Sequence, residues 1–295
     1  RSGDVMVFNE SRVIPARLRG TRSDTGGSVE LLILSQLDNA VWQALVKPGR
    51  RMRVGTEFEL IQGDHKITGS VTDSDSEGVR TVKFSTEIDF DKIGEIPLPP
   101  YICKPLENSD RYQTVYAKVP GSIAAPTAGL HFTTSLLETI HDIGVKLVFV
   151  TLHVGFGSFR PVKTDDVTSH HMRPERFSIN QSAVDTINDA KVEGRRVISV
   201  GSTPTRLMEH TASLSSAGQI HSTLSATSGW ADIFIAPGHT FRIVDVLITN
   251  FHLPKSTLLM LTSAFADRTL ILKAYNEAIK LNYRFYSLGD AMIVV

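Results

Sequence analysis

Two patterns of hydrophobic and polar residues divide the chain. Between residues 16 and 90, short segments alternate apolar with polar positions and are rich in valine, isoleucine, phenylalanine and leucine. A period of two is typical of half-buried β-strands. Six such segments occur: ARLRG, VELLILS, VWQALV, TEFELIQ, HKITGSVT and VRTVKFS. Turn sequences such as DTGGS, KPGRR, QGD and SDSEG separate them, so we predict a small antiparallel β-barrel.

The rest of the chain alternates strand-like with helix-like segments. The apolar runs DVMVF, VKLVFVTLHV, RVISVGS and VDVLITNF are typical of buried strands. Amphipathic runs lie between and after them: TTSLLETIHDIG, QSAVDTINDAKVEG, TPTRLMEHT, STLLMLTSAFA and TLILKAYNEAIKLN. This alternation favours an α/β layer with a largely parallel sheet. The predicted fold is a mixed α/β domain, residues 1–15 and 91–295, with the barrel inserted as residues 16–90.

Local signals mark the ends of two of these helices. Thr133 or Thr134 can cap the first, and Gly144 can end it. Ser256 is the expected N-cap of the helix LLMLTSAFA. The apolar stretch from Leu258 to Ala266 is too short for a membrane span, which needs about 20 residues.

Composition restricts the class of protein. The 295 residues are 41% hydrophobic and 21% charged, with 31 basic and 31 acidic side chains, so overall charge does not indicate nucleic-acid binding. One local basic run, KPGRRMR, contains Lys47, Arg50, Arg51 and Arg53; it is either a nucleic-acid contact or a solvated turn between strands. With a lone cysteine, Cys103, and without an apolar leader in RSGDVMVF, we expect a cytoplasmic protein.

Polar residues follow each predicted strand of the α/β layer. NESR, HVGFGSF, GSTPTR and NFHLPKST follow the four apolar runs in turn. In open α/β sheets, ligands bind beyond the carboxyl ends of the strands. If the strands are parallel, these four segments converge on one rim, and we predict a site for a polar ligand there.

The individual motifs exclude several common chemistries. HVGFGSF has Gly155 and Gly157 but carries Arg160 where a dinucleotide fingerprint needs a third glycine, and LPKST lacks the glycines of a phosphate-binding loop. SHHMRPE brings His170, His171 and Glu175 together without a helix-spaced histidine pair, so we expect no metal site.

Two further segments allow two interpretations each. PTAGLHFT delivers His131 and Thr133 to a helix start, where free N–H groups bind an anion or where Thr133 is an ordinary cap. DRYQTVYAK places Tyr112 and Tyr116 one helical turn apart, which fits a packed core more often than a base-stacking surface.

Long blocks spread along the sequence resemble one family, the S-adenosylmethionine:tRNA ribosyltransferase-isomerases of queuosine biosynthesis. The matching blocks are VFNESRVIPARLRG, EIPLPPYI, DRYQTVYAKVPGSIAAPTAGLHFT, VTLHVGFGSFRPV, TNFHLPKSTLLMLTSAFA and YRFYSLGDAMIV. They run in order from Val7 to Val294, which makes a chance match very improbable. The resemblance implies an α/β domain that carries a β-barrel domain, in agreement with the pattern above.

The resemblance also implies an unusual reaction. The family transfers the ribosyl part of S-adenosylmethionine to 7-aminomethyl-7-deazaguanine at the tRNA wobble position, where it rearranges to give epoxyqueuosine. Adenine and methionine are released. S-adenosylmethionine is therefore a consumed co-substrate, no metal or other cofactor is implied, and the partners are that tRNA and S-adenosylmethionine, without a membrane or a stable protein partner.

This chemistry requires a base at C5′, next to the sulfonium, and a proton donor for departing adenine. The candidate catalytic residues are four histidines and one carboxylate: His131, His153, His171, His252 and Glu175. The candidate substrate-binding residues are Asn9, Arg12, Tyr112, Thr127, Thr133, Gly155, Gly157, Thr203, Arg206, Asn250, Lys255, Ser256, Thr257 and Asp290. The basic run Lys47, Arg50, Arg51 and Arg53 is the candidate tRNA contact.

The sequence departs from the family pattern at several positions. Arg173 follows Met172 where the family has a second histidine, and GSTPTR stands in place of GTTSVR, which makes Pro204 and Thr205 unusual. A family segment precedes the position of Arg1, so we expect the first part of the α/β domain to lie outside this sequence. The alternative hypothesis is a non-catalytic tRNA-binding relative with the same fold.

Overall fold

A computed structural model of the chain describes residues 1–62, 65–99, 101–102, 108–155, 170, 172–215 and 223–295. The chain divides into two compact units, one formed by Arg1–Arg12 with Asp110–Val295 and the other by Val13–Ser109. The boundaries expected from sequence, after residues 15 and 90, both fall within the second unit.

The secondary structure of the described residues runs as follows. In chain order the strands are β1 (Val5–Asn9), β2 (Ser11–Val13), β3 (Arg17–Arg22), β4 (Ser28–Asp38), β5 (Val41–Lys47), β6 (Glu57–Gln62), β7 (His65–Ser74), β8 (Val79–Phe84), β9 (Val119–Ser122), β10 (Lys146–Leu152), β11 (Glu175–Ile179), β12 (Val197–Val200), β13 (Thr227–Ala231), β14 (Val246–Asn250) and β15 (Ala291–Val294). The α-helices are α1 (Phe90–Ile93), α2 (Thr134–Asp142), α3 (Gln181–Val192), α4 (Ser202–Ser215), α5 (Thr257–Phe265) and α6 (Arg268–Lys280). Ser109–Tyr112 and Thr127–His131 form 3-10 helices.

The second unit is a closed barrel, as the alternating pattern predicts. Its strands follow the order β3-β4-β5-β8-β7-β6, every neighbouring pair is antiparallel, and β3 closes the ring against β6. Leu18, Leu31 and Phe58 fill the interior and are fully buried. At the closing pair, a β-carbon on Gly20 would lie 2.0 Å from the Glu59 carbonyl oxygen, so only glycine lets the strands meet.

The first unit is built on a seven-stranded sheet with the order β13-β11-β10-β1-β12-β14-β15. The four central strands, β10, β1, β12 and β14, are parallel, whereas β11, β13 and β15 join antiparallel at the two sides. The prediction of a largely parallel sheet therefore holds for the centre and is wrong for the sides. The three side strands have exposed positions between more buried ones, so they lack the continuous apolar run by which the central strands were predicted.

Helices cover both faces of the central strands. Phe8 packs with Phe132 and Phe149 under α2, and Leu207 of α4 packs on the opposite face with Val5 and Val7. The predicted caps are confirmed: the hydroxyls of Thr133 and Ser256 accept hydrogen bonds from the backbone N–H groups of Leu136 and Leu259. Gly144 follows α2 with a φ of 86°, the conformation in which glycine ends a helix. Across the described residues, every helix is too short or too polar to cross a bilayer.

A buried carboxylate joins α4 to the segment before β14. Glu209 is 1% exposed and accepts hydrogen bonds from the backbone N–H groups of Arg242, Ile243 and Val244 at 2.9, 3.0 and 3.1 Å. Its Oε2 also lies 3.6 Å from His239 Nε2. Burial by itself raises the pKa of Glu209, but the interactions with His239 and the three amides outweigh this effect, and the pKa is lowered.

We expect the Glu209→Gln variant to unfold more easily by about 1.5–3 kcal/mol, because an amide NH2 then faces backbone donors. The destabilisation should be full above pH 4.5, the ordinary pKa of this carboxyl, and should shrink as the pH falls through the lower folded-state value. Urea unfolding at several pH values measures it. Glu138→Gln, at an exposed position of α2, is the matched control, and an equal effect there would contradict the assignment.

Candidate active site

The parallel strands end along one edge of the sheet, and the predicted polar segments follow those ends. β1 ends at Asn9, β10 leads to His153, β12 leads to Gly201 and β14 ends at Asn250. In the sheet order, the connection from β1 leads to its neighbour β10 in one direction, whereas the connection from β12 leads to its neighbour β14 in the opposite direction. Ligands of open α/β sheets bind at the carboxyl edge where connections diverge in this way.

Asn250 organises a polar cluster at this edge. Its Oδ1 accepts the Thr127 hydroxyl proton at 3.1 Å, and its Nδ2 lies 3.2 Å from His131 Nε2 and 3.5 Å from the Gly289 carbonyl oxygen. Because that carbonyl is only an acceptor, the amide group of Asn250 faces His131 as a donor. His131 Nε2 is then an acceptor, and the proton of the neutral ring is on Nδ1.

Two charged residues act on the His131 ring. Asp290 is held by Arg284, whose guanidinium Nη2 donates to Oδ1 at 2.7 Å and whose backbone N–H donates to Oδ2 at 2.7 Å. These contacts with Arg284 lower the pKa of Asp290. The protein packed around His131 lowers its pKa although one side of the ring is exposed; Asp290 opposes this effect and Arg284 adds to it. The ring is therefore neutral at pH 7.

The turn after β12 brings a helix N-terminus to the same edge. Gly201 has a φ of 96° and donates its N–H to the Ile248 carbonyl at 2.7 Å, which ties the turn to β14. A β-carbon on Gly201 would lie 3.4 Å from Ala128, beside Thr127. Thr203, in the first turn of α4, is buried, and its hydroxyl has no hydrogen-bond partner within the described residues. A helix N-terminus of this kind favours anionic groups.

Several predicted site residues are occupied in holding the strands together. Asn9 is fully buried; its Nδ2 donates to the Leu152 carbonyl at 2.9 Å, and its Oδ1 accepts the Leu152 N–H at 3.0 Å. Glu175 is also buried, accepts the Gly155 N–H at 2.7 Å and forms an ion pair with buried Arg206. Their predicted roles in catalysis and substrate binding stay predictions, and the observed contacts position the exits of β1 and β10.

His153 lies at the exit of β10, with its ring packed against the backbone of Gly121. A β-carbon on Gly121 would lie 2.7 Å from His153 Nδ1, and this nitrogen is buried without a partner among the described residues. Burial, followed by the charge of Arg176, lowers the pKa of His153. His153 is therefore a second neutral imidazole at the carboxyl edge.

His252 occupies a different environment. Its Nε2 lies 2.7 Å from the Thr249 hydroxyl, and its backbone N–H donates to the Tyr275 hydroxyl of α6 at 2.8 Å. Burial lowers the pKa of His252 to about 4. Because adjacent strand residues face opposite sides of a sheet, Thr249 and Asn250 point apart, and His252 lies with α6 rather than with His131.

The remaining predicted residues that the structure describes have contacts other than those of the Asn250 cluster. Lys255 is exposed with a φ of 60°, Ser256 caps α5, and the buried Thr257 hydroxyl has no partner among the described residues. Arg12 lies 3.5 Å from Asp110. Tyr112 is buried, and Tyr116 packs on Phe8 at 5.1 Å, in agreement with the core interpretation. Thr133 caps α2. His171 and Gly157 lie outside the described residues.

The predicted basic run forms a braced loop of the barrel. Met52 is fully buried, and Arg80 donates to the Met52 and Gly49 carbonyls at 2.9 and 3.2 Å. Lys47, Arg50, Arg51 and Arg53 are exposed. Among described residues, Lys47 lies 3.4 Å from Glu30, and Arg50 and Arg51 have no carboxylate partner. The loop thus presents cations on a fixed backbone.

Sequence reasoning missed Arg284 and Gly289, which hold Asp290 and Asn250. Both belong to the block YRFYSLGDAMIV, so the block pointed to the region while the contacts depend on the fold. Within the described ranges, no three His, Cys, Asp or Glu side chains lie close enough to hold a metal ion.

Comparison with known proteins assigns the chain to a family. Residues 1–294 match the family described as queuosine biosynthesis protein, and the chain belongs to this family. It is 51% identical over 296 residues to an S-adenosylmethionine:tRNA ribosyltransferase-isomerase of Clostridioides difficile (strain 630), spanning 99% of this chain and 84% of that protein. It is 48% identical over 299 residues to the protein of the same name from Thermoanaerobacter sp. (strain X514), spanning 100% and 85%. A crystal structure of S-adenosylmethionine tRNA ribosyltransferase from Thermotoga maritima is 31% identical and covers 100% of this chain and 83% of that chain, with a TM-score of 0.49.

The electrostatics of the Asn250 cluster predict opposite effects of two substitutions on the His131 pKa. Asp290→Asn removes a nearby negative charge and should lower it, whereas Arg284→Ala removes a positive charge and should raise it. Titration of ¹³C-labelled histidine by NMR measures both, with His131→Gln used to assign the resonance. Shifts in the same direction would contradict this arrangement of charges.

Proposed function

We propose that this chain transfers the ribosyl part of S-adenosylmethionine to 7-aminomethyl-7-deazaguanine at the tRNA wobble position and isomerises it to epoxyqueuosine, with release of adenine and methionine. It is thus a transferase and isomerase of queuosine biosynthesis and tRNA modification. The observation that carries the proposal is the match of residues 1–294 to the queuosine biosynthesis protein family. Two relatives named S-adenosylmethionine:tRNA ribosyltransferase-isomerase are also about 50% identical over nearly the full length of this chain.

The carboxyl edge of the sheet supplies groups that suit this chemistry. The sulfonium of S-adenosylmethionine acidifies the C5′ proton, so a base of near-neutral strength can remove it. His131 and His153 are both neutral at pH 7 because their pKa values are lowered. A neutral imidazole acts as a proton acceptor through an unprotonated nitrogen and as a hydrogen-bond donor through the other.

We assign His131 as a hydrogen-bond donor to the departing adenine rather than as the base at C5′. Asn250 donates to His131 Nε2, so the nitrogen left for the substrate is Nδ1, which carries the proton. His153 is then the stronger candidate for the C5′ base. In D₂O, exchange of the C5′ hydrogen of S-adenosylmethionine should persist in His131→Gln and disappear in His153→Gln; the reverse outcome would exchange the two roles.

The other predicted residues divide into contacts and supports. Thr203 at the N-terminus of α4 and Asp290 beside His131 are proposed to contact the co-substrate. Lys255 is exposed and suits an anionic group of either substrate. Glu175 and Arg206 are proposed to act as supports, because each side chain is already paired in the interior.

The barrel loop Lys47–Arg53 supports a tRNA contact. Its arginines are exposed on a backbone held by Met52 and Arg80, so phosphate binding would not require the loop to become ordered. The partners proposed are tRNA with the modified wobble base and S-adenosylmethionine. The sulfonium provides the activating charge, so we propose a reaction without a metal or other cofactor, in the cytoplasm where tRNA is modified.

Incubation with S-adenosylmethionine and tRNA that carries the aminomethyl-deazaguanine should release adenine and methionine in equal amounts, measured by chromatography. tRNA with guanine at the wobble position is the control and should release neither. Asn250→Ala should lower turnover by roughly 100-fold, because it frees His131 from its orienting contact. A folded protein that binds the modified tRNA without releasing adenine would support the non-catalytic alternative.

Replacing Arg50, Arg51 and Arg53 by Ala should weaken tRNA binding and flatten its salt dependence by up to about one unit of log–log slope per lost phosphate contact. Filter binding at several salt concentrations gives the slope. Lys66→Ala is the matched control in the same barrel, since Lys66 is already paired with Glu59 at 3.0 Å. An unchanged slope in the triple variant would assign the run to a solvated turn.

A further inference from the structure

On strands β11 and β13, at one side of the sheet, one face has exposed side chains among the described residues. Along β11, buried and exposed residues alternate, with Arg176 and Ser178 on the exposed side. Along β13, Ser228 and Trp230 are the exposed positions. Phe177, on the opposite side of β11, packs against His210 of α4. The helices thus cover one face, and the other presents Arg176, Ser178, Ser228 and Trp230.

The strand register aligns a histidine, an arginine and a tryptophan in one row across the sheet. Arg176 is directly opposite Trp230 in the β11–β13 pair. The other neighbour of β11 is β10, in which Leu152 is opposite Phe177. The next residue of that chain segment, His153, donates its N–H to the Arg176 carbonyl at 2.8 Å. Side chains directly opposite in antiparallel strands share a face. His153, Arg176 and Trp230 therefore form a row that starts at the carboxyl edge.

Trp230 is unusually open for its residue type. It lies on a strand at the end of the sheet order, 59% of it is exposed, and it makes no ring contact within the described residues. The other tryptophan, Trp42, packs edge-on against Phe90 in the barrel unit at 5.0 Å. The Arg176 side chain is also exposed and has no carboxylate partner among the described residues. An exposed aromatic ring beside an unpaired cation is the combination that binds an unpaired nucleotide.

We propose that Trp230 and Arg176 form a platform for an unpaired base of the RNA substrate, with Trp230 stacking on the base and Arg176 contacting the adjoining phosphate. The inference rests on the proposed function, which supplies the RNA. It adds a nucleotide-binding site to the α/β unit, and the row leads from that site to His153.

The neighbours of Trp230 favour a nucleotide over a protein partner. A protein interface buries a continuous apolar core. Here the exposed cross-strand pair next to Arg176 and Trp230 is Ser178 and Ser228, so the apolar surface is one ring bordered by hydroxyls and a cation. A single base covers an indole ring, and the phosphate charge complements Arg176.

Because the chain has only two tryptophans, stacking can be observed directly. In Trp42→Phe, the fluorescence comes from Trp230. An RNA hairpin with an unpaired seven-nucleotide loop should quench it with a saturating titration, whereas a blunt duplex of the same stem should not. In Trp230→Phe, where Trp42 is the reporter, the hairpin should leave the emission unchanged. Emission insensitive to the hairpin in Trp42→Phe would overturn the proposal.

Affinity measurements separate stacking from charge. Trp230→Ala should weaken hairpin binding roughly 5- to 100-fold with an unchanged salt slope, and Trp230→Phe should recover most of the loss. Arg176→Ala should lower the slope by about one, and Arg176→Lys should restore it. Ser228→Ala, on the same face, is the matched control and should bind as the parent does. Equal affinity of Trp230→Ala and the parent would overturn the proposal.

Two further measurements keep this inference distinct from the proposed function. If the parent protein releases adenine and Trp230→Ala binds tRNA with the same affinity as the parent, the transferase assignment is supported and the platform proposal is overturned. If the parent releases no adenine but the hairpin quenches Trp230, the platform stands and the transferase assignment fails. A change from dimer to monomer in Trp230→Ala, seen by sedimentation, would assign this face to a second copy of the chain and overturn the proposal.

Discussion

The parallel pairing of β1 with two partners is the constraint on which the α/β unit depends. Val5 to Asn9 are all buried, and the strand is bonded to β10 on one side and β12 on the other. Both partners come from parts of the chain that follow the barrel. Parallel strands need long connections, and this chain places a whole barrel in the first of them. The pairing aligns the exits of β10, β1, β12 and β14 at one edge.

Alignment of the strand exits concentrates polar groups, but many of them are needed to hold the edge itself. Asn9 bridges β1 and β10 through both atoms of its amide, and Glu175 links the exit of β10 to Arg206 of α4. Buried polar groups without such partners would cost free energy. The side chains proposed to contact the substrate, such as His131 and Asp290, do not bridge two strands.

The same residue type acquires different properties at neighbouring positions. His131 is partly exposed, bound by Asn250 and influenced by two opposite charges. His252, two residues beyond Asn250, is enclosed beside Thr249 and Tyr275, and its pKa falls to about 4. Strand alternation explains the difference, because Thr249 and Asn250 face opposite sides of β14.

The sequence by itself determined the local structure and the family. The six barrel strands, the central strands, the five long helices and the caps at Thr133 and Ser256 follow from periodicity and side-chain chemistry that act over a few residues. The polar strand exits likewise predicted where a site would lie. Only the tertiary structure decided which polar residues meet, because Asn250 contacts Thr127 and His131 across more than a hundred residues of sequence. The tertiary structure also decided that His153, Arg176 and Trp230 lie in one row. Their common face depends on strand register, and a one-residue slip of a strand would move its side chains to the other face of the sheet.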